Sequence, residues 1–357
     1  MNSPTQVEQT VLDIRNLNVE YLTDRGPVRA VEDVSFTIKP GEVFGLAGES
    51  GCGKSTIAHT ILRVLRPPAV ITGGQIFYKG VDVLQMDDMS LDEYRSKILA
   101  TAERKEIAPS TNIIETFRWA EVSMVIQSAM NSLNPVIKVS DQLVDVLMKH
   151  EKLNKKQARE RAGELLEIVN IEKRRLNAYP HELSGGMRQR VVIAMALALK
   201  PSLMIMDEPT TALDVVVQKD ILQQIEELKR DLGFSILFIT HDLSLMVEFS
   251  DRIGIMYAGR IVEMAPAKDI LTRPFHPYTQ GLLSSFPSIT GPKTKLSGIP
   301  GAPPNLLYPP MGCRFHPRCP YWDGVEMDKA PELEEVAPGH WVACTCRKKA
   351  IQESLAG

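Results

Sequence analysis

The sequence has almost no net charge: 41 lysines and arginines stand against 44 aspartates and glutamates, a formal −3 over 357 residues. A nucleic-acid binder normally carries a basic excess or stripe, so no nucleic-acid partner is expected. Long apolar runs are missing as well. The longest, Val191 to Leu199, is about half of what a membrane span needs. The opening MNSPTQVEQT has no basic stretch followed by an apolar core, so no export signal is expected. The chain is therefore expected to stay in the cytoplasm and to reach a membrane only through a partner. Cysteines number five: Cys52 is alone, while Cys313, Cys319, Cys344 and Cys346 crowd into the last 45 residues. In a reducing compartment such a group favours a metal over disulfides.

What is present reads as a well-packed α/β protein, with 44% hydrophobic and 24% charged residues. Its length allows one large unit with an appendage, or two modest domains. No internal repeat is visible. VLDIRNLNVEY and AVEDVSFTIK alternate like half-buried strands, and a Pro40-Gly41 turn follows. EVFGLAG is a short strand running into a glycine-rich turn, and SGCGKSTIAHTILRVL continues as a helix. From about Asp87 to Tyr179 helical spacing and charge predominate, as in DQLVDVLMKH and ARERAGELLEIV. LMIMDEP and SILFITHD have the apolar composition of buried parallel strands. Proline and glycine become dense from Phe286 to Gly312, which predicts an extended linker before the cysteine-bearing tail.

Gly48, Glu49, Ser50, Gly51, Cys52, Gly53, Lys54, Ser55 and Thr56 fit the phosphate-binding loop pattern between a strand and a helix. Glycines let backbone N–H groups curl around phosphates without interference from a Cβ. Lys54 is expected to neutralise the β- and γ-phosphates and Ser55 to offer its hydroxyl to Mg²⁺, at the positive end of a helix. Asp207 and Glu208 end the apolar run LMIM, where open α/β sheets bind ligands. Asp207 is expected to hold Mg²⁺ and Glu208 to polarise the attacking water as general base. In LSGGMRQR, Ser184 is a good N-cap, and Gly185 and Gly186 leave the backbone donors of the helix start uncovered, a second anion site. One nucleotide can use both sites if two copies meet head to tail.

The ordered set GESGCGKST, Gln127, LSGGMRQR, LMIMDEP, ALD and His241 resembles the ABC ATPase family over about residues 10–265. The resemblance implies a P-loop NTPase fold: a RecA-like core, an antiparallel β subdomain and a helical subdomain at about 90–185. It also implies two cassettes sandwiching two ATP molecules. It assigns Tyr21 to stacking on adenine and Gln127 to Mg²⁺ and the attacking water, in a loop facing a membrane subunit. Asp214 would communicate across the dimer, and His241 would contact the γ-phosphate. Gln127 and His241 thereby join Glu208 as the catalytic set.

RPFHPYTQGLLSSFPS and GIPGAPPNLLYPPMGCRFHPRCP resemble the C-terminal region of the oligopeptide/dipeptide importer subfamily, giving a cassette at 1–265 and an extension at 266–357. The resemblance implies uptake of peptides, with nickel and oligosaccharide importers sharing the architecture. It also implies a second, related ATPase subunit, two transmembrane permease subunits, an extracellular solute-binding protein, and a peripheral position on the cytoplasmic face of the membrane. An exporter is disfavoured by this tail and by the lack of a fused membrane domain. ABC-type ATPases acting on DNA or ribosomes usually carry two cassettes, a long coiled coil or a basic surface. A binding module with a vestigial nucleotide site would not need Lys54, Asp207, Glu208 and His241 together.

Some members of that subfamily hold an iron–sulfur cluster on four tail cysteines. Cys313, Cys319 and Cys344 match the pattern, Glu326 stands where another cysteine is usual, and Cys346 is extra and available as fourth ligand. The five- and one-residue gaps suit tetrahedral zinc poorly, whereas the irons of a 4Fe–4S cluster can each take one of two close cysteines. Zinc and free thiols stay open as alternatives. The residues 96–117 are unexpected for the subfamily and read as a solvated helical insert, the alternative being a contact with the membrane subunit.

Overall fold

The computed structural model describes residues 10–98, 112–127, 132–211, 213–285, 298–322, 324 and 328–346. Strands β1 (Leu12–Thr23), β2 (Gly26–Ile38) and β3 (Val43–Ala47) lead to helix α1 (Lys54–Ile61) and strands β4 (Ala69–Tyr78) and β5 (Val81–Asp82). Helices α2 (Leu91–Lys97) and α3 (Ile113–Thr116), a π turn at Phe117–Glu121 and strand β6 (Val122–Val125) follow. Then come α4 (Val139–His150), α5 (Lys155–Ile168) and α6 (Gly185–Leu197). The chain continues through β7 (Leu203–Asp207), α7 (Val215–Leu232), β8 (Ser235–Ile239), α8 (Leu243–Phe249), β9 (Arg252–Tyr257) and β10 (Arg260–Pro266). Helices α9 (Ala267–Thr272) and α10 (Pro277–Ser284) and the strands β11 (Glu334–Ala337) and β12 (His340–Val342) complete it. No helix among the described residues is long and apolar enough to cross a membrane.

Two compact units share the chain. The first comprises Met1–Asp13, Thr37–Glu42 and Ile76–Leu237, and the second Ile14–Phe36, Val43–Gln75 and Phe238–Gly357. In the first unit β6 and β7 pair in parallel, Val122 opposite Leu203 through Val125 opposite Met206. Around them the helices form where the sequence places apolar residues at helical spacing: Val139, Leu143, Val144 and Leu147 give α4 one buried face. Side chains start several of the helices. Asn154 and Gln157 form a capping box on α5, and Asp214 caps α7, which ends on Gly233 at φ 74°. Strand β6 lies inside the stretch read from sequence as helical. Four apolar or small residues are too few for periodicity to separate strand from helix.

The reading of the unusual segment 96–117 as a solvated insert falls largely on residues 99–111, which lie outside the described part. Ile98, Ile114 and Phe117 on either side are buried. Asn112 caps α3, its Oδ1 accepting from the N–H groups of Ile114 and Glu115.

In the second unit β3 pairs in parallel with β9, Phe44 opposite Arg252 through Ala47 opposite Ile255. β9 then pairs antiparallel with β10, with a register shift between Ile261 and Glu263. β12 adds to β10 and β11 to β12, both antiparallel. The cysteine-bearing tail thus extends the sheet that carries the glycine-rich loop. Strands β1, β2 and β4 belong to a separate sheet ordered β2-β1-β4. Of the linker expected at 286–312, residues 286–297 lie outside the described part, and 298–312 form neither helix nor strand.

Candidate functional site

Strand β3, buried along its whole length, delivers the glycine-rich loop to the start of α1. A Cβ on Gly53 would stand 2.2 Å from the carbonyl oxygen of Ala30, and one on Gly48 2.1 Å from that of Met256. Both distances are within repulsive contact, so backbone packing itself demands glycine at the two ends of the loop. Lys54 is buried, and its Nζ donates to the carbonyl oxygens of Gly48 (2.7 Å) and Glu49 (3.1 Å). The loop's own carbonyls thus curl the ammonium over it. Ser55 and Thr56 fall in the first turn of α1, and Thr56 Oγ1 lies 3.2 Å from the Tyr21 hydroxyl. That contact fixes the expected adenine-stacking ring beside the loop's helix. Cys52 is buried and its thiol is pushed up by burial, which outweighs the Lys54 charge. His241, also in the second unit, is exposed just beyond β8.

The first unit holds the acidic residues. Asp207 ends β7 and is buried. Glu208 follows at φ 47°, a left-handed conformation that costs a non-glycine residue about 1 kcal/mol. The strained turn aims the carboxylate away from the strand's line. Gln127 Nε2 donates to Glu208 Oε2 at 2.7 Å and Thr211 Oγ1 at 3.2 Å, so two donors fix that oxygen. Ser184 caps α6, its Oγ accepting from Met187 N–H. A Cβ on Gly186 would meet Val217 Cγ1 at 2.9 Å, and Val217 N–H in turn donates to Asp214 Oδ1 at 3.0 Å. The start of α6 and the capped start of α7 are therefore packed together. Residues 128–131, the rest of the Gln127 loop, lie outside the described part.

The tail contains a second grouping. Cys313, Cys319, Cys344 and Cys346 line one small cavity of about 10 Å³ with His276, Phe315 and Trp322, and all four are free thiols. Burial pushes Cys319 up to about 11 and Cys344 up to about 12, each further raised by the neighbouring cysteines. Burial raises Cys313 too. Among the described residues no group of three or more His, Cys, Asp or Glu side chains is arranged to hold a metal ion. The expected zinc or cluster ligation is thus not preformed, and Glu326 lies outside the described part.

Several polar residues of the tail escaped the sequence reading. Glu263 is fully buried on β10 and accepts from Phe275 N–H (2.7 Å), His276 N–H (3.0 Å) and His340 Nε2 (2.7 Å). Arg318 reaches Glu49 of the glycine-rich loop with both terminal nitrogens, at 2.9 and 3.1 Å. Their available signal in the sequence is the pair of segments His276-Pro277-Tyr278 and Arg318-Cys319, which lie in the stretches resembling the importer subfamily.

The family described as ABC transporter matches residues 31–211, and the oligopeptide/dipeptide transporter C-terminal region matches 262–324. The chain is 40% identical to the oligopeptide transport ATP-binding protein OppD of Salmonella typhimurium, over 98% of this chain and 97% of that protein. It is 42% identical to the dipeptide transport ATP-binding protein DppD of Bacillus subtilis, over 87% of each. Among solved structures it resembles the dimeric ATP-binding cassette MJ0796 in a post-hydrolysis state bound to ADP and Pi. That match has TM-score 0.57 and 26% identity, over 72% of this chain and 98% of that one.

Proposed function

The chain belongs to the ABC transporter family as an ATP-hydrolysing subunit, and we propose that it drives uptake of oligopeptides or dipeptides through partner permeases. The observation that carries the reading is the Gln127–Glu208 pair at 2.7 Å, with Glu208 turned out of line at φ 47°. In the proposed cycle the loop N–H groups, Lys54 and Ser55 hold the triphosphate and its Mg²⁺, which neutralises charge on the transferred group. In the first unit Asp207 and Gln127 would be the residues offered to Mg²⁺. Glu208 takes a proton from the water as its oxygen bonds to the γ-phosphorus and the bond to the β-phosphate oxygen breaks, leaving ADP and phosphate. His241 holds the γ-phosphate, Tyr21 the adenine, and Asp214 links the two cassettes. This chain's Ser184, Gly185 and Gly186 close on the nucleotide of a related partner cassette. Hydrolysis removes that anionic bridge, and the parting cassettes rock two attached permeases on the cytoplasmic face of the membrane. Residues 1–265 act as the cassette and 266–357 as the extension.

Lys54→Ala loses ATP binding, whereas Glu208→Gln keeps it and slows turnover by about 10²-fold or more. Rapid hydrolysis by Glu208→Gln would remove the base from Glu208. In the reconstituted transporter with its extracellular solute-binding protein, peptides stimulate ATP turnover. Stimulation by nickel salts or oligosaccharides and not by peptides would overturn the cargo.

The four tail cysteines are proposed to hold a 4Fe–4S cluster with a structural or redox-sensing role. The donor set fits: three of the thiols are pushed up by burial and mutual repulsion, and iron supplies the positive charge that thiolates there need. The five- and one-residue gaps in the sequence suit several irons better than a single tetrahedral ion. When bound, the cluster supplies four iron–thiolate links that tie residues 313–319 to 344–346. Protein purified without oxygen and found colourless, with no iron or acid-labile sulfide, would dispose of it.

A further inference from the structure

A carboxylate is an unusual neighbour for a triphosphate. Glu49 lies within the glycine-rich loop, next to Gly48 and Lys54's carbonyl anchors, where its charge opposes the anion the loop is built to hold. The tail answers that charge. Arg318 Nη1 donates to Glu49 Oε2 at 2.9 Å and Nη2 to Oε1 at 3.1 Å, a two-point fork. The Arg318 side chain is only 5% exposed and that of Glu49 25%, so water screens the pair little.

The guanidinium is itself held from all sides. Nε donates to Pro300 O at 2.8 Å, Nη2 to Ile299 O at 3.3 Å and Nη1 to Tyr257 Oη at 3.3 Å. Its plane lies over the Tyr257 and Phe315 rings, 5.7 and 6.0 Å from their centres. A second tail group meets the same residue through its backbone: Glu49 N–H donates to Tyr278 Oη at 3.0 Å. Tyr278 is fully buried and packs on Tyr257 and Phe315.

We propose that Arg318 is a positioning residue for nucleotide binding: it neutralises Glu49 and turns its carboxylate away from the phosphates, so that the C-terminal extension sets the affinity of the phosphate loop. This rests on the reading of residues 48–56 as the ATP site. Arg318 touches no reacting atom and acts through Glu49. It also precedes Cys319, which caps the turn His316–Arg318.

The test is ATP binding with Mg²⁺ by the full-length chain, with Lys54→Ala as the non-binding control. Arg318→Met keeps the stem over the two rings while removing the charge, and is used beside Arg318→Ala, which is more exposed to folding failure. Arg318→Met weakens ATP binding about tenfold, and Arg318→Lys, which retains the charge but not the fork, recovers part of it. The loss caused by Arg318→Met shrinks to within about twofold when Glu49→Gln is also present, since no charge is left to neutralise. In the assembled transporter the same change raises the KM for ATP about tenfold while kcat at saturating ATP stays within about twofold. Folded Arg318→Met that binds ATP like the wild type overturns the inference, as does a loss that Glu49→Gln leaves undiminished. Failure of the wild-type chain to bind ATP at all would instead sink the assignment of the loop.

Discussion

The two ends of the second unit are held by opposite means. The phosphate loop is fixed by backbone against backbone, with Gly53 and Gly48 so close to the carbonyls of Ala30 and Met256 that no side chain fits. The tail is fixed by polar pairs: Glu263 with His340, Arg318 with Glu49, and Arg314 with Glu32. The difference teaches what each end can tolerate. A loop that must present N–H groups to a highly charged ligand takes its shape first from glycine packing, to which Lys54 Nζ and Tyr278 Oη add bonds to its backbone. The tail, which adds strands to a sheet already formed, gains its place by long-range polar cross-links.

The largest expected effect is at the loop. Gly53→Ala drives a Cβ into the Ala30 carbonyl at 2.2 Å and does so at φ 107°, a conformation closed to alanine. ATP binding, followed by titration calorimetry, is lost. Binding within about tenfold of wild type would mean that the strand bearing Ala30 can yield, and the contrast with the tail would fail.

The tail's largest effect is at Glu263. Glu263→Ala strands three buried donors, on Phe275, His276 and His340. Each costs about 1–3 kcal/mol when left without an acceptor, so urea unfolding should register a loss of about 3 kcal/mol or more. A loss under about 1 kcal/mol would show water taking over those donors, and the tail would then be held by packing after all.

How much could be read beforehand divides along the same line. Residues 48–56, Asp207, Glu208 and the Ser184 cap were legible because their chemistry is local: glycines, a lysine and a helix start at fixed spacing. The Gln127–Glu208 contact spans 81 residues and was not read from the sequence; only the role of Gln127 came, through family resemblance. Arg318 and Glu49 are 269 residues apart, and Glu263 and His340 are 77 apart. No periodicity or turn signal links such pairs; only the closed sheet brings them together. Strand β6 was hidden by its shortness, and the burial of Ile114 and Phe117 by the charged run before them. Cys313, Cys319, Cys344 and Cys346 line one cavity; the inclusion of Cys346 came from resemblance to subfamily members with four tail cysteines and not from its spacing.

The smallest effect sharpens the comparison through acid. Glu32 accepts from Arg260 Nε at 3.1 Å and Nη2 at 2.5 Å, pairs with Arg314 of the tail, and lies 3.7 Å from Arg29. Burial pushes its carboxyl up, but the Arg260 hydrogen bond and the charges of Arg314, Arg260 and Arg29 outweigh burial and hold it below the ordinary 4.5. The unfolded chain therefore takes up this proton at higher pH than the folded one. Glu32's contribution is fully present above the ordinary carboxylate pKa and is lost as pH falls through the lowered one. Thermal melts of wild type and Glu32→Gln should differ most near neutrality, with Glu32→Gln the less stable because Arg314 keeps its buried charge without a counter-ion. The gap should narrow as the pH drops below 4.5. A gap that stays constant into acid would mean that the Glu32 charge does not secure the tail, and that both ends of the unit rest on packing.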